Sequence, residues 1–450
     1  MNEAAAAGGA SQGGVSRIDR AQWRVIVLSS LGGALEFYDF VVYSTFALFI
    51  GKAFFPSANG LIQLMQSFGV FAVGYLARPL GGVIFSHFGD KYGRRRVFIF
   101  SILMMSSATV ALGLLPSYAR WGIGATVCLV LLRLLQGFSL GGELPGAITY
   151  VVESAPRRAG FSSGFIFFCV NTGVALAAGL GFAVNKLLTP AEVADWGWRI
   201  GFLFGGVLGL VSFWLRLSLT ETAEFKKLRH ASAKRPFVEL MRTAPAATLF
   251  AISAMVATAG FNGLLFAMPA YLPRTMGYTS LEAIEAQNIA LLVLSCGMLV
   301  TAWFSDRIPR RFILATGALL LGVFCIPFFN AAAEHSVALI PLFVAAGLAA
   351  SFCNGPMAGI VADLFPTRIR FSGVAVSFNL AFSLFSGTAP VMSTILVEAT
   401  GSPTGPAWFM LGCALVTFVG MLFVKRHEGR ILGEPAPPEA VAPAPSFPAQ

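Results

Sequence analysis

Long runs of apolar residues divide this chain from its beginning almost to its end. About 20 apolar residues are enough to cross the hydrocarbon core of a bilayer as an α-helix, and a helix satisfies its own backbone polar groups in lipid. Twelve such runs cover roughly 25–51, 61–88, 97–117, 121–152, 160–187, 198–217, 245–272, 283–304, 312–330, 336–362, 371–397 and 406–424. The sequence therefore predicts an all-α membrane protein with twelve transmembrane helices.

The composition supports the same conclusion. Of 450 residues, 56% are hydrophobic and only 12% are charged, with a mean hydropathy of +0.75. A soluble chain carries about twice that share of charge, so a soluble enzyme and a disordered chain are excluded. All six cysteines fall within the apolar runs and show no metal-binding spacing. We expect no cofactor, no metal and no disulfide.

The basic residues indicate the orientation in the membrane. Of the 31 Lys and Arg residues, 24 lie in one set of loops, 5 lie in the opposite set, and Arg78 and Arg133 lie inside spans. Basic loops face the cytoplasm, so both termini are predicted to be cytoplasmic, as in a multi-pass protein of the cell (inner) membrane. The net charge of +10 is thus a topology signal, and we expect no nucleic-acid partner.

Two loops recur along the chain. Residues 89–96 (GDKYGRRR) follow the second run and 305–311 (SDRIPRR) follow the eighth, with Asp90 and Asp306 216 positions apart. Residues 153–162 and 363–372 match at an offset of 210. The chain is therefore predicted to contain two six-helix halves, which in transporters enclose a site near the middle of the membrane.

These repeats predict the division of the chain. The predicted parts are a cytoplasmic N-terminal tail (1–24), an N-terminal six-helix half (25–217), a cytoplasmic linker (218–243), a C-terminal six-helix half (244–425) and a disordered cytoplasmic tail (426–450).

The loop 89–96 resembles the hallmark of the major facilitator superfamily, Gly-x-x-x-Asp-(Arg/Lys)-x-Gly-x-(Arg/Lys)-(Arg/Lys), although Ser86 replaces its first Gly and Pro309 replaces a later Gly in the second copy. Six further segments resemble the metabolite:proton symporters, a group containing citrate, 2-oxoglutarate, shikimate and proline/betaine carriers. They are 36–40 (EFYDF), 78–82 (RPLGG), 133–143 (RLLQGFSLGGE), 196–199 (WGWR), 365–368 (FPTR) and 379–390 (NLAFSLFSGTAP). The resemblance implies the major facilitator fold and alternating access.

Acidic residues inside the spans are candidates for proton coupling. A charge at the bilayer centre costs at least about 2.5–3.5 kcal/mol, so it indicates function by default. Glu36 and Asp39 share a face of the first predicted helix, and two carboxylates this close do not both ionise easily. Glu143 lies within about 80° of Arg133 on the fourth predicted helix. The alternative is a structural acid pair satisfied by Arg or by backbone.

Arginines inside the spans are candidates for binding an anion. Arg133 lies at the middle of the fourth predicted helix near Gln136, and Arg78 lies in the second. An Arg guanidinium keeps its charge and can fork onto a carboxylate. The alternatives are a permanent salt bridge from Arg133 to Asp39 or Glu36, and a gate-side role for Arg78.

Polar side chains at mid-membrane complete the predicted substrate site. Tyr43 shares the face of Glu36 and Asp39, and we assign Asn171, Asn379 and Ser383 to the substrate site with it. Further polar residues lie within the predicted spans: Asn262, Ser351, Asn354 and Ser386. Such groups line a cavity or join helices. With the acids protonated, Arg78 and Arg133 would leave a surplus of about two positive charges, which favours a di- or tricarboxylate.

The repeated loops supply the predicted gating residues, Asp90, Arg94, Arg95, Asp306 and Arg310. An Asp at a helix N-terminus caps that helix and meets the positive end of its dipole. The resemblance implies that the loop latches the cytoplasmic side. The alternative is an ordinary basic loop, which explains the arginines but not the Asp.

The sequence therefore predicts no enzyme but a monomeric, proton-coupled symporter that imports a small organic carboxylate such as citrate or 2-oxoglutarate. No Walker loop is present, so ATP is not expected to drive transport. The rival interpretations are osmolyte (proline or betaine) symport, proton-antiporting efflux, and a sensor that transports nothing.

Overall fold

The computed structural model describes residues 18–57, 60–219 and 236–424, and these form a bundle of long helices without a β-strand among them. Eleven helices are long and apolar enough to cross a membrane, and Gly60–Tyr92, with 33 residues, is also long enough. The predicted all-α membrane fold is confirmed. The predicted tail 426–450, residues 1–17 and most of the predicted linker lie outside the described residues; the last part of that linker forms a short helix, Pro236–Thr243.

We label the twelve long helices α1 to α12 in chain order. Their bounds are Arg20–Thr45, Gly60–Tyr92, Arg94–Leu114, Ile123–Ser154, Ala159–Leu187, Trp198–Arg216, Pro245–Thr275, Ser280–Phe304, Arg310–Ala333, Leu339–Asp363, Arg370–Thr400 and Gly405–Phe423. Helix α11 contains one π-helical turn, Phe382–Ser386. Such turns are frequent at functional sites.

The two halves have equivalent packing. In the first half α2 packs on α4, α1 on α5 and α3 on α6; in the second, α8 packs on α10, α7 on α11 and α9 on α12. Between the halves, α2 and α4 contact α11, while α8 and α10 contact α5. These contacts correspond pairwise, because α2, α4 and α5 are the repeat counterparts of α8, α10 and α11.

Glycines allow α2 and α4 to approach closely. A Cβ atom on Gly137 would lie 1.8 Å from the Gly74 carbonyl oxygen, and one on Gly141 would lie 2.0 Å from the Arg78 carbonyl oxygen. Small residues permit such backbone contact between membrane helices. The crossing therefore fixes the backbones that carry Arg78 and Arg133.

The loop between α2 and α3 depends on one glycine. Gly93 has a φ of 108°, and its N–H donates to the Gly89 carbonyl. A side chain is strained at this φ. Its counterpart Pro309 has a φ of −51°, which suits proline, so the second copy of the loop makes its turn with an ordinary backbone conformation.

Candidate functional site

A cavity of about 580 Å³ lies between the halves, bounded by α1, α2 and α5 from the first and by α7, α8, α10 and α11 from the second. We call it the central cavity. Its polar lining residues are Tyr75, Arg78, Asn171, Asn262, Asn354 and Ser386, and its aromatic ones include Phe37, Phe167, Phe266, Phe378 and Phe382.

Arg78 supplies the charge among the described residues that line the central cavity. Its guanidinium carbon lies 5.3 Å from the Tyr75 ring centre and 6.0 Å from that of Phe378. The rings of Phe378 and Phe382 are stacked with centroids 4.3 Å apart. The cavity therefore offers one cation beside several aromatic faces.

A second, smaller pocket lies inside the first half, between α1, α2, α3 and α4. It is lined by Glu36, Asp39, Gly74, Met105, Arg133, Gln136, Gly137 and Leu140. We call it the acidic pocket. The predicted substrate residues Arg133 and Gln136 thus lie here and not in the central cavity, because the glycine crossing holds α4 against the far side of α2.

Glu36 and Arg78 connect the two spaces. Glu36 Oε1 lies 3.7 Å from Arg78 Nη2, and both side chains are almost fully buried. Neither carboxylate oxygen of Glu36 has a hydrogen-bond partner among the described residues. The ion pair is therefore loose and bridges the acidic pocket and the central cavity.

Asp39 ends a chain of buried hydrogen bonds that begins at Arg133. Arg133 Nη1 donates to Gln136 Oε1 at 2.8 Å, Gln136 Nε2 donates to Thr109 Oγ1 at 2.7 Å, and Thr109 Oγ1 donates to Asp39 Oδ2 at 2.5 Å. The Arg133 guanidinium carbon also lies 4.1 Å from the ring centre of Tyr43. The predicted direct salt bridge from Arg133 to Asp39 is replaced by this relay, and sequence reasoning missed Thr109.

Tyr43, predicted to bind substrate, is fully buried and packs under Arg133. Its hydroxyl donates to the Ser67 carbonyl at 3.1 Å. It therefore supports Arg133 from outside the central cavity.

Glu143 lies in a different environment from that predicted. Its Oε1 accepts from Arg216 Nη1 at 2.5 Å and its Oε2 accepts from Ser101 Oγ at 2.5 Å. Arg216 is 0% exposed, and its other nitrogens donate to the carbonyls of Leu28 and Ser29. Arg216 was one of the 24 Lys and Arg residues assigned to the predicted loops. That assignment is wrong, because Arg216 is buried at the end of α6, where it neutralises Glu143, and 23 loop cations remain.

The amides divide between the cavity and the interface of the halves. Asn171 lines the central cavity, and its Nδ2 donates to Ser295 Oγ across the halves at 2.7 Å. Asn379 Nδ2 donates to the Gly141 carbonyl at 2.8 Å, so it joins α11 to α4. Ser383 is half-buried in the π-helical turn, while Ser386 of the same turn lines the cavity.

The repeated loops join the halves at one end of the bundle, which we call the basic end because it carries residues 91–96 and 307–311. Asp90 accepts from the backbone N–H groups of Ser372 at 2.8 Å and Phe371 at 3.3 Å, in the first turn of α11. Asp306 accepts from the N–H groups of Gly160 at 2.7 Å and Phe161 at 3.1 Å, in the first turn of α5. Each loop therefore caps a helix of the opposite half.

Buried ion pairs surround both caps. Arg94 Nη2 lies 3.3 Å from Asp90 and 3.0 Å from Glu153, and Arg310 lies 3.4 Å from Asp306 and is paired with Asp363. Burial raises the pKa of the Asp306 carboxyl, while the amide N–H groups and Arg310 act in the opposite direction.

Arg95, also predicted to gate, donates to the Leu217 carbonyl at 2.8 Å within its own half. The contacts of Asp90 and Asp306 with the opposite half close the basic end in this structure.

Comparison with known proteins identifies the family. The Major Facilitator Superfamily model matches residues 30–329 and 250–448. The chain belongs to this superfamily of membrane transporters.

Two characterised relatives have similar identity to this chain. The proline/betaine transporter of Escherichia coli (strain K12) is 33% identical over 429 residues, covering 91% of this chain and 84% of its own length. The citrate-proton symporter of Klebsiella pneumoniae is 33% identical over 432 residues, covering 94% of each.

Solved structures support the fold. A proton:xylose symporter bound to 6-bromo-6-deoxy-D-glucose superposes with a TM-score of 0.76 at 17% identity, covering 91% of this chain and 96% of its own. The E. coli fucose:proton symporter superposes with a TM-score of 0.68 at 13% identity, covering 90% and 99%.

Proposed function

We propose that this chain is a proton-coupled symporter whose substrate carries one carboxylate, bound by Arg78 in the central cavity. The observation that carries the proposal is the loose Glu36–Arg78 pair, 3.7 Å apart, at the junction of the central cavity and the acidic pocket. A guanidinium binds a carboxylate in bidentate fashion. A substrate carboxylate therefore competes with Glu36 for the same cation.

This competition gives a physical basis for coupling. When Glu36 is ionised it holds Arg78, and when Glu36 takes a proton Arg78 becomes available to the substrate. A buried charge without a partner is costly. Arg78 has a partner when neither proton nor substrate is bound, because Glu36 is ionised, and when both are bound, because the substrate carboxylate replaces Glu36. These two states are therefore favoured over the states with only the proton or only the substrate bound. Asp39 lies one helical turn away in the same pocket and is the second candidate to carry the proton.

The cavity favours a zwitterion over a tricarboxylate. The predicted surplus of two positive charges included Arg133, which lies outside the central cavity. Arg78 alone matches one carboxylate, and the aromatic faces of Phe37, Phe378 and Phe382 suit a quaternary or secondary ammonium through cation–π attraction. We therefore place an osmolyte such as glycine betaine or proline ahead of citrate. The citrate-proton symporter among the relatives keeps a polycarboxylate as the second candidate.

We further propose that the basic end faces the cytoplasm of a bacterial inner membrane, on the strength of the 23-to-5 distribution of Lys and Arg that remains once the buried Arg216 is left out. The closed basic end then corresponds to a carrier closed to the cytoplasm, with alternating access achieved by rocking of the two halves.

The test is uptake into proteoliposomes under an inward proton gradient, with glycine betaine, proline, citrate and 2-oxoglutarate as probes. We expect betaine or proline to be taken up, Glu36→Gln to abolish gradient-driven uptake, and Arg78→Lys to weaken substrate binding at least about tenfold because the fork is lost.

Arg133→Lys serves as the matched control for Arg78→Lys, since it changes a buried Arg outside the central cavity. Substrate affinity should stay near that of the parent in Arg133→Lys. Loss of affinity in Arg133→Lys but not in Arg78→Lys would mean that the substrate binds in the acidic pocket. Uptake that does not respond to the gradient would exclude proton coupling.

A further inference from the structure

Thr109 lies in the middle of α3 and is 0% exposed. Its Oγ1 is 2.5 Å from Asp39 Oδ2, whereas the other carboxylate oxygen, Asp39 Oδ1, is buried with no hydrogen-bond partner in the described part of the chain. The hydroxyl of Thr109 is thus the hydrogen-bonding contact that orients the Asp39 carboxylate.

The Thr109 hydroxyl has two acceptors within reach. Besides Asp39 Oδ2, the Met105 carbonyl one turn back lies 3.0 Å away. The oxygen of Thr109 also accepts from Gln136 Nε2 at 2.7 Å. A hydroxyl donates one hydrogen bond and can accept two, so one lone pair of Thr109 stays available when its proton points elsewhere.

This geometry accommodates both protonation states of Asp39. With Asp39 ionised, Thr109 donates to Oδ2. With Asp39 protonated on Oδ2, the new O–H donates to Thr109 Oγ1, and the threonine hydroxyl rotates to the Met105 carbonyl. The added proton stays on the Asp39 oxygen, and Thr109 keeps its own hydroxyl proton. The Asp39–Thr109 hydrogen bond reverses its direction, and the hydrogen bond from Gln136 is kept in both states.

We infer that Thr109 is a positioning residue for proton coupling, which keeps Asp39 hydrogen-bonded in both protonation states and links it through Gln136 to Arg133. The inference rests on the proposed function with Asp39, its second candidate, as the group that exchanges the proton during uptake. Because an ionised acceptor makes the stronger hydrogen bond, the Thr109 hydroxyl favours the ionised carboxylate and so lowers the pH at which uptake is half-maximal.

Other groups also act on Asp39, and they stay in place when Thr109 changes. The titratable and charged side chains that face it or its pocket come from α1, α2, α4 and α6: Glu36, Tyr38, Tyr43, Tyr75, Arg78, Arg133, Glu143 and Arg216. A difference between two Thr109 variants that differ only in the hydroxyl therefore reports on that hydroxyl.

The test compares Thr109→Val, which keeps the shape and loses the hydroxyl, with Thr109→Ser, which keeps the hydroxyl. Uptake into proteoliposomes is measured against pH with whichever of glycine betaine, proline or citrate the parent transports. We expect the midpoint of Thr109→Val to move about one unit to higher pH, the tenfold effect of losing one charge-assisted hydrogen bond. Thr109→Ser should stay within about 0.3 unit of the parent, and substrate affinity at low pH should be unchanged in both.

Thr109→Ala serves as a second hydroxyl-free variant in case valine impairs folding, and it should show the same shift. A parent-like midpoint in either hydroxyl-free variant would overturn the inference, as would an equal shift in Thr109→Ser. Asp39→Asn distinguishes the two proposals. If it keeps gradient-driven uptake, Asp39 does not carry the proton and the inference about Thr109 fails, while the Glu36–Arg78 mechanism stands; if it loses that uptake while Thr109→Val behaves like the parent, only the role of Thr109 fails.

Discussion

The interiors of the two halves differ sharply in pockets that are bounded by three corresponding helices. In the first half, the pocket between α1, α2, α3 and α4 is lined by two acids, an arginine and a glutamine. In the second half, a cavity between α7, α9, α10 and α12 is lined by apolar and aromatic side chains: Phe261, Leu264, Leu265, Met268, Leu321, Phe324, Cys325, Phe328, Phe329, Phe343, Ala346 and Met410. The helices α1, α3 and α4 correspond to α7, α9 and α10.

The repeat offsets identify counterparts residue by residue. At the offset of 210 that relates residues 153–162 to 363–372, Arg133 corresponds to Phe343 and Gln136 to Ala346. At the offset of 216 that relates Asp90 to Asp306, Thr109 corresponds to Cys325. Three members of the buried relay are thus replaced by apolar residues in the second half.

The basic end shows the opposite pattern. Asp90, Arg94 and Glu153 recur as Asp306, Arg310 and Asp363, and within each half the Arg pairs with both acids. Asp90 and Asp306 each accept from backbone N–H groups of the opposite half. Rocking of two halves about a pseudo-two-fold axis needs equivalent contacts on both sides of the axis, whereas one proton site needs to exist only once. The basic end therefore keeps the symmetry that rocking needs, and of the two interior pockets only that of the first half is lined by charged residues.

The largest expected effect concerns the buried ion pair of the first half. Arg216→Met leaves Glu143 buried without its cation, which costs about 3–5 kcal/mol, so thermal unfolding of the purified protein should shift strongly to lower temperature. The double variant with Glu143→Gln should recover most of that loss. Arg242→Met, at an exposed position, is the matched control and should unfold like the parent.

The same variants decide whether Glu143 is structural or carries a proton, as the sequence suggested. Glu143→Gln alone should lose stability and keep the gradient dependence of its remaining uptake. A stable Glu143→Gln protein without gradient-driven uptake would assign Glu143 to proton coupling instead.

The second prediction tests the symmetry of the gate. Asp90→Asn and Asp306→Asn each weaken two hydrogen bonds to a helix N-terminus, so each should destabilise the closed basic end by about 1.5–3 kcal/mol. Thiol labelling of a cysteine introduced on the side of the central cavity that faces the basic end should rise by a similar factor in both. Labelling that rises in only one of them would show that one loop dominates the gate.

How far the sequence predicted the site depended on the range of each interaction. The charge of Glu36, Asp39, Arg78 and Arg133 against an apolar background was visible without a structure, because a buried charge needs a reason. The repeat of Asp90 as Asp306 was also visible, since both loops keep the same residue order. These signals are local in the sequence.

The partners were not predictable, because they depend on how helices face each other. The spacing along α4 brings Gln136 close to Arg133, but it does not show that Gly137 and Gly141 press this helix against α2 and so exclude Arg133 from the central cavity. Arg216 was misassigned because it ends its apolar run, where a loop cation is expected. Thr109 was missed because one hydroxyl inside an apolar run resembles ordinary helix packing.

The smallest expected effect is at the counterpart of Thr109. Cys325 is buried in the apolar cavity of the second half, and its Sγ lies 3.1 Å from the Gly322 carbonyl. In Cys325→Ser the new hydroxyl can donate to that carbonyl, so the cost in stability should be below about 1 kcal/mol. With no carboxylate lining this cavity among the described residues, the midpoint pH of uptake should match that of the parent. A midpoint displaced as far as in Thr109→Val would mean that the second half also takes part in the proton chemistry, and the division of labour between the halves would then be wrong.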